Sequence, residues 1–103
     1  MSDLTNFEKL RLERALGMSS GYVLGFSNRT FRDFFLDAVG IDIYDDKYDR
    51  GSGSKANRMR AFWDTEGKDV VGDLLGALFD NWDLYGADGS EPPANCTAIA
   101  AWL

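Results

Sequence analysis

Apolar residues recur with a helical period along most of this chain. In "SNRTFRDFFLDAVG", Phe31, Phe34, Phe35, Ala38 and Val39 fall at i, i+3, i+4, i+7 and i+8, the stripe of an amphipathic helix. Ser27 or Asn28 offers a capping oxygen and Gly40 a stop, which predicts a helix between them. Upstream, Thr5 and Glu8 form a capping box, Gly17 is a stop, and Leu12, Ala15 and Leu16 share a face, so a first helix is expected near 6–16. Between these two, Tyr22, Val23 and Leu24 form a short apolar bridge flanked by glycines, extended or one helical turn, expected to tuck into the core.

Further along, "IDIYDDKYDRGSGS" loses the period. It reads as a loop that begins on apolar anchors (Ile41, Ile43, Tyr44) and ends flexible. Ser54 then caps a helix of about 55–66 with Ala56, Met59, Phe62 and Trp63 on one side, and Gly67 stops it. In "KDVVGDLLGALFDNWDLYG", Val71, Leu74, Leu75, Leu78 and Trp82 keep one helical register, with Asp69 as N-cap. Gly72 and Gly76 lie inside that helix; their spacing of four either admits a close neighbour or is chance. "ADGSEPPA" is a loop whose Pro92 or Pro93 suits a first helical turn. A last helix, "ANCTAIAAWL", carries Ile99, Trp102 and Leu103. Its apolar end reads either as a domain cut from something longer or as a tail that docks back on the core. The sum is an all-α fold, a compact bundle of four to six short helices in a single domain over 1–103.

Composition narrows what such a bundle can do. With 103 residues, 45% of them hydrophobic, the chain can close one core and is too apolar for disorder. Histidine is absent and Cys96 is the single cysteine. A His/Cys zinc site, a Ser–His or Cys–His pair and an intrachain disulfide are therefore excluded within this chain. No apolar run approaches a membrane span and "MSDLTNFEKLRLER" lacks a signal-peptide core, so a cytoplasmic protein is expected, away from membranes. The net charge of −6 is unevenly placed: residues 1–28 are neutral, 29–60 carry +1, and 61–103 carry −7 with Lys68 as their one cation. Unlike charge on different faces steers association with a partner or with another copy.

Three chemistries compete for "GSGSKANRMRAFW". A phosphate-binding loop needs G-x-x-x-x-G-K-[ST] after a buried strand, whereas Lys55 follows Ser54, Ala56 holds the Ser/Thr place and "YDDKYDR" is no strand. A DNA-reading helix would use Lys47, Arg50, Lys55, Arg58 and Arg60, but Asp42, Asp45, Asp46 and Asp49 surround that cluster and the last third of the chain repels phosphate. The same four acids lack the spacing and the twelfth-position glutamate of a calcium loop. A magnesium-dependent nuclease built on them, like nucleic-acid sensing through Lys55, Arg58 and Arg60, ranks below an interaction module. A helical domain that only props up its neighbour stands level with any of these named roles. In the preferred reading Met59, Phe62 and Trp63 go inward and the charged side faces out.

The string "SGYVLGFSNRTFRDFF…GIDIYDDKY…GSGSKANRMRAFW" resembles the N-terminal domain of bacterial abortive-infection (AbiJ-type) anti-phage defence proteins. The match runs through Tyr22 to Leu24, Phe26 to Phe31, Gly40 to Asp45, Lys47 to Tyr48 and Gly51 to Trp63, with Met59 where leucine is usual, and covers roughly residues 5 to 85. Gly72 and Gly76 depart from the family pattern. The resemblance implies the N-terminal module of a longer protein, a sensor or adaptor without enzymatic activity or cofactor, followed on the same chain by a toxic effector such as a HEPN-type ribonuclease. A fold-level comparison with death-fold domains adds pairing of unlike charged faces. On that view a basic face of Arg29, Arg32, Arg50, Lys55, Arg58 and Arg60 meets an acidic face of Asp69, Asp73, Asp80 and Asp83 on another copy or on a partner defence protein. Nucleic acid is disfavoured as a partner, and no metal site is expected.

Overall fold

The computed structural model describes residues 4–85 and 91–103. Among these, six α-helices follow one another: α1 (Asn6–Ala15), α2 (Asn28–Val39), α3 (Lys55–Thr65), α4 (Lys68–Asp80), α5 (Trp82–Tyr85) and α6 (Ala94–Trp102). Short 3₁₀ turns at Met18–Ser20 and Asp46–Tyr48 join them, and no strand occurs among the described residues. The fold is all-α, as the periodicity predicts.

Side-chain caps set three of the six helix starts, those of α1, α2 and α3. The Thr5 hydroxyl accepts from the Glu8 N–H at 3.2 Å while the Glu8 carboxylate accepts from the Thr5 N–H at 2.9 Å. Ser27 and Thr30 make the same reciprocal exchange at the start of α2. Ser54 accepts from the Asn57 N–H at 3.2 Å and opens α3. Two boundaries differ from expectation. Gly67 does not stop α3, which ends one residue earlier on Glu66. It is instead the extended N-cap of α4, which puts Asp69 in the first turn rather than at the cap. The long helix expected through Trp82 breaks at Asn81, whose side-chain amide donates to the Ala77 carbonyl at 2.8 Å and competes with the backbone for that acceptor.

A single apolar cluster fills the space between the helices. Phe31, Phe34 and Phe35 of α2 are buried, as are Met59, Phe62 and Trp63 of α3 and Val71, Leu74, Leu75 and Leu78 of α4. Phe35 meets Phe31 and Phe62 edge to face, each with centroids 5.0 Å apart, which joins α2 to α3. Of the apolar bridge, Val23 alone is fully buried. Tyr22 is exposed, and Leu24 adopts φ +48°, held there as its N–H donates to the Leu16 carbonyl at 2.8 Å. The last helix packs back on the core: Cys96 and Ile99 are buried, and α6 lies against both α1 and α4. Gly72 makes room for it, since a Cβ there would stand 3.1 Å from Leu103 Cβ; Gly76 has no such neighbour. The loop expected over 87–94 falls partly outside the described residues, as does the side chain of Trp102.

Candidate interaction surface

The loop between α2 and α3 folds over the start of α3 and is held there by Arg58. Its guanidinium donates to the carbonyls of Ile43 at 3.1 Å, Asp45 at 3.4 Å and Gly53 at 3.2 Å. It lies 4.6 Å from the Tyr44 ring centroid and 3.8 Å from an Asp49 carboxylate oxygen. Only 12% of this side chain reaches solvent, so the arginine expected on the outer face is a clamp inside the fold. Gly53 lies beneath it at φ +71°, a left-handed backbone that any side chain would strain; a Cβ there would also stand 2.9 Å from the Asp49 carboxylate and push it aside. Burial raises the Tyr44 phenol above its ordinary value, partly offset by the Arg58 charge, and its hydroxyl donates to Asn28 at 3.0 Å.

The other residues of the expected basic face are also engaged within the molecule, to differing degrees. Arg60 donates from two nitrogens to one Glu13 oxygen at 3.0 and 2.7 Å, tying α3 to α1. Arg50 and Lys9 converge on Asp64 at 2.7 and 2.8 Å. Burial of Asp64 opposes ionisation, but the hydrogen bonds and charges of Lys9 and Arg50 outweigh it and hold the carboxyl below its ordinary value. Arg32 pairs with Asp42 at 3.3 Å, and Lys55 lies 5.0 Å over the Tyr22 ring. Arg29 stays 91% exposed, with a loose contact of 3.9 Å to Asp33. These six residues do not form one free basic surface.

Three of the four aspartates of the loop are likewise occupied. Asp42 accepts from the Tyr44 N–H, Asp45 from the Lys47 N–H, and Asp49 faces Arg58, each a local loop contact. No group of three or more metal-ligating side chains stands together among the described residues. A cleft of about 580 Å³ opens beside this loop, lined by Asn28, Arg29, Arg32, Asp33, Asp42 and Tyr44. Its arginines are matched there by Asp33 and Asp42, so the cleft has little net charge with which to select an ion. Behind the loop, buried Tyr48 donates to Glu66 at 2.6 Å; burial, then the Glu66 contact, raises its phenol above the ordinary value.

The acidic residues are placed differently. Asp69, Asp73 and Asp80 lie at i, i+4 and i+11 of α4, on the side of the helix opposite Val71, Leu74, Leu75 and Leu78. All three are exposed, exposed Asp83 follows on the separate helix α5, and none of the four has an ion pair among the described residues. The structure thus brings the acids together and disperses the bases.

A second exposed face lies on α1, and the sequence reading missed it. Phe7, Leu10, Arg11 and Arg14 stand at i, i+3, i+4 and i+7, away from buried Leu12 and Leu16. The spacing is visible in "NFEKLRLER", but the inward face of Leu12, Ala15 and Leu16 accounts for the helix without it. Among the described residues no helix is long and apolar enough to cross a membrane. In comparisons with family models, with curated proteins and with solved structures, the chain matches none.

Proposed function

We propose that this chain is a protein-interaction and signalling module, an adaptor or sensor, of a bacterial anti-phage abortive-infection protein. It couples detection of infection to a toxic effector domain, of the HEPN nuclease class or similar, through association of charged helix faces. The observation that carries this reading is the line of exposed acids Asp69, Asp73 and Asp80 along one side of α4, without an ion pair among the described residues and followed on α5 by exposed Asp83. A single-sign stripe on a rigid helix steers a cationic surface toward it and repels polyanions, which sets protein above nucleic acid as its partner. The motif resemblance supplies the defence context.

The test is fluorescence anisotropy of the full chain with a labelled amphipathic peptide carrying leucine and arginine on one helical face. Binding is expected at about 50 mM salt, about tenfold weaker at about 300 mM salt, and lost with Asp73→Lys/Asp80→Lys. No binding, or binding indifferent to that double reversal, overturns the reading. Tighter salt-sensitive binding of an RNA or DNA oligonucleotide would replace it with nucleic-acid sensing.

A further inference from the structure

We infer that the outer face of α1 is the complement of the acidic stripe on α4, so that the chain docks head to tail on a second copy of itself. The inference rests on the proposed function above and names its partner. Seven arginines are present in the sequence, and within the described residues five of them stand within ion-pair distance of a carboxylate of their own chain. The two that do not, Arg11 and Arg14, sit one turn apart on the same face. Flanking them are Phe7, 76% exposed, and Leu10, 61% exposed, the two most exposed large apolar side chains among the described residues outside α5. A phenylalanine and a leucine side by side with two arginines that have no ion pair among the described residues form an anchor of the kind found at interface centres, apolar in its middle and cationic at its edge.

The opposite number has matching chemistry. Asp69, Asp73 and Asp80 offer carboxylates at one- and two-turn spacings, and Leu84, 68% exposed beside Asp83, offers an apolar surface at their end. Arg11 and Arg14 are spaced to meet carboxylates on one such helix face, while Phe7 and Leu10 cover Leu84. Within one copy both faces point to solvent and α6 packs against α1 and against α4, so the pairing is made between molecules. Because the two faces differ, the contact is heterologous: it propagates into a ring or a filament rather than closing as a two-fold dimer.

Sedimentation velocity of the full chain over a concentration series at low and high salt tests this, with two one-sided variants. Wild type is expected to grow with concentration at low salt and to dissociate at high salt. Phe7→Ser/Leu10→Ser removes the α1 anchor, and Asp73→Lys/Asp80→Lys inverts the stripe. Each variant alone is expected to be monomeric with an unchanged circular-dichroism spectrum, since all four positions are at the surface or edge of their helices. Mixed in equal amounts, they keep one intact face each and are expected to form a 1:1 complex that grows no further. A wild type that stays monomeric at every concentration overturns the inference, as does assembly that survives in either variant. Should the monomer still bind the cationic peptide through the stripe, the proposed function stands and the second copy falls; should neither bind, both fall.

Discussion

Arg58 has five donors on a planar fork and meets three carbonyls, one aromatic face and one carboxylate, all contributed by the loop and helix start that it holds together. Truncation strips those carbonyls of a charged donor in a half-buried place. Arg58→Ala is expected to lower the unfolding free energy by about 2–4 kcal/mol, read from urea midpoints at unchanged slope. Arg58→Lys should recover only part of that loss, because a single ammonium cannot reach three diverging acceptors. If alanine costs no more than an exposed surface residue, the clamp is not what fixes the loop. In "KANRMRAFW" the spacing puts Arg58 beside the apolar stripe, and a position at that margin is decided by whatever segment lies next to it. Nothing local in the sequence says that residues 43–53 fold over it. Leu24 is a similar case: its left-handed backbone is imposed by a bond to Leu16, with only a neighbouring glycine as a hint.

Elements were legible where their signals are short-range. The caps Thr5 and Ser54 and the stop Gly40 act within four residues and stand where the sequence placed them, and Ser27 is the one of two offered caps that opens α2. The break at Asn81 was not legible, since the apolar register runs unbroken from Val71 to Trp82 and a side-chain amide decides the matter. The paired glycines of α4 separate into two cases that can be tested together. Gly76 has open space around it, so Gly76→Ala should raise stability by about 1 kcal/mol, the ordinary helical gain, seen as a melting temperature higher by roughly 4–8 °C. Gly72→Ala gains the same propensity but drives a methyl to 3.1 Å from Leu103, and should give no net gain or a loss. Equal stabilisation by both substitutions would mean that α6 is not seated on Gly72.

Over the whole molecule, ion pairs between distant segments tie the helices together, and Asp64 is a node among them, receiving Lys9 from α1 and Arg50 from the loop. Its carboxyl sits below its ordinary value of 3.8, so in acid the unfolded chain binds the proton first and stability rises with pH. That contribution is fully present above about pH 4 and is lost as pH falls through the lower folded-state value. Asp64→Asn should flatten the acid limb of the stability profile while leaving the alkaline limb unchanged; an unaltered acid limb would remove Asp64 from its causes. The same long-range pairing explains why the two charged faces were unequally readable. The acids of α4 are periodic along one helix and needed no knowledge of tertiary structure. The arginines are spread over three segments, and their partners, Glu13, Asp42, Asp49 and Asp64, become neighbours only on folding.

That internal use of arginine bears on how genetics would read this protein. A survey of charge-changing alleles would score Arg58 and Arg60 as essential and invite the conclusion that they touch a partner. A chain that has lost its clamp spends more time open, and cells clear such chains, so those alleles would report protein abundance. On the proposed head-to-tail contact, alleles at exposed Phe7, Arg11 or Asp73 are expected to leave the amount of protein intact and to remove that contact alone. Steady-state level, measured beside phenotype, separates the residues that keep the fold standing from those of the proposed contact.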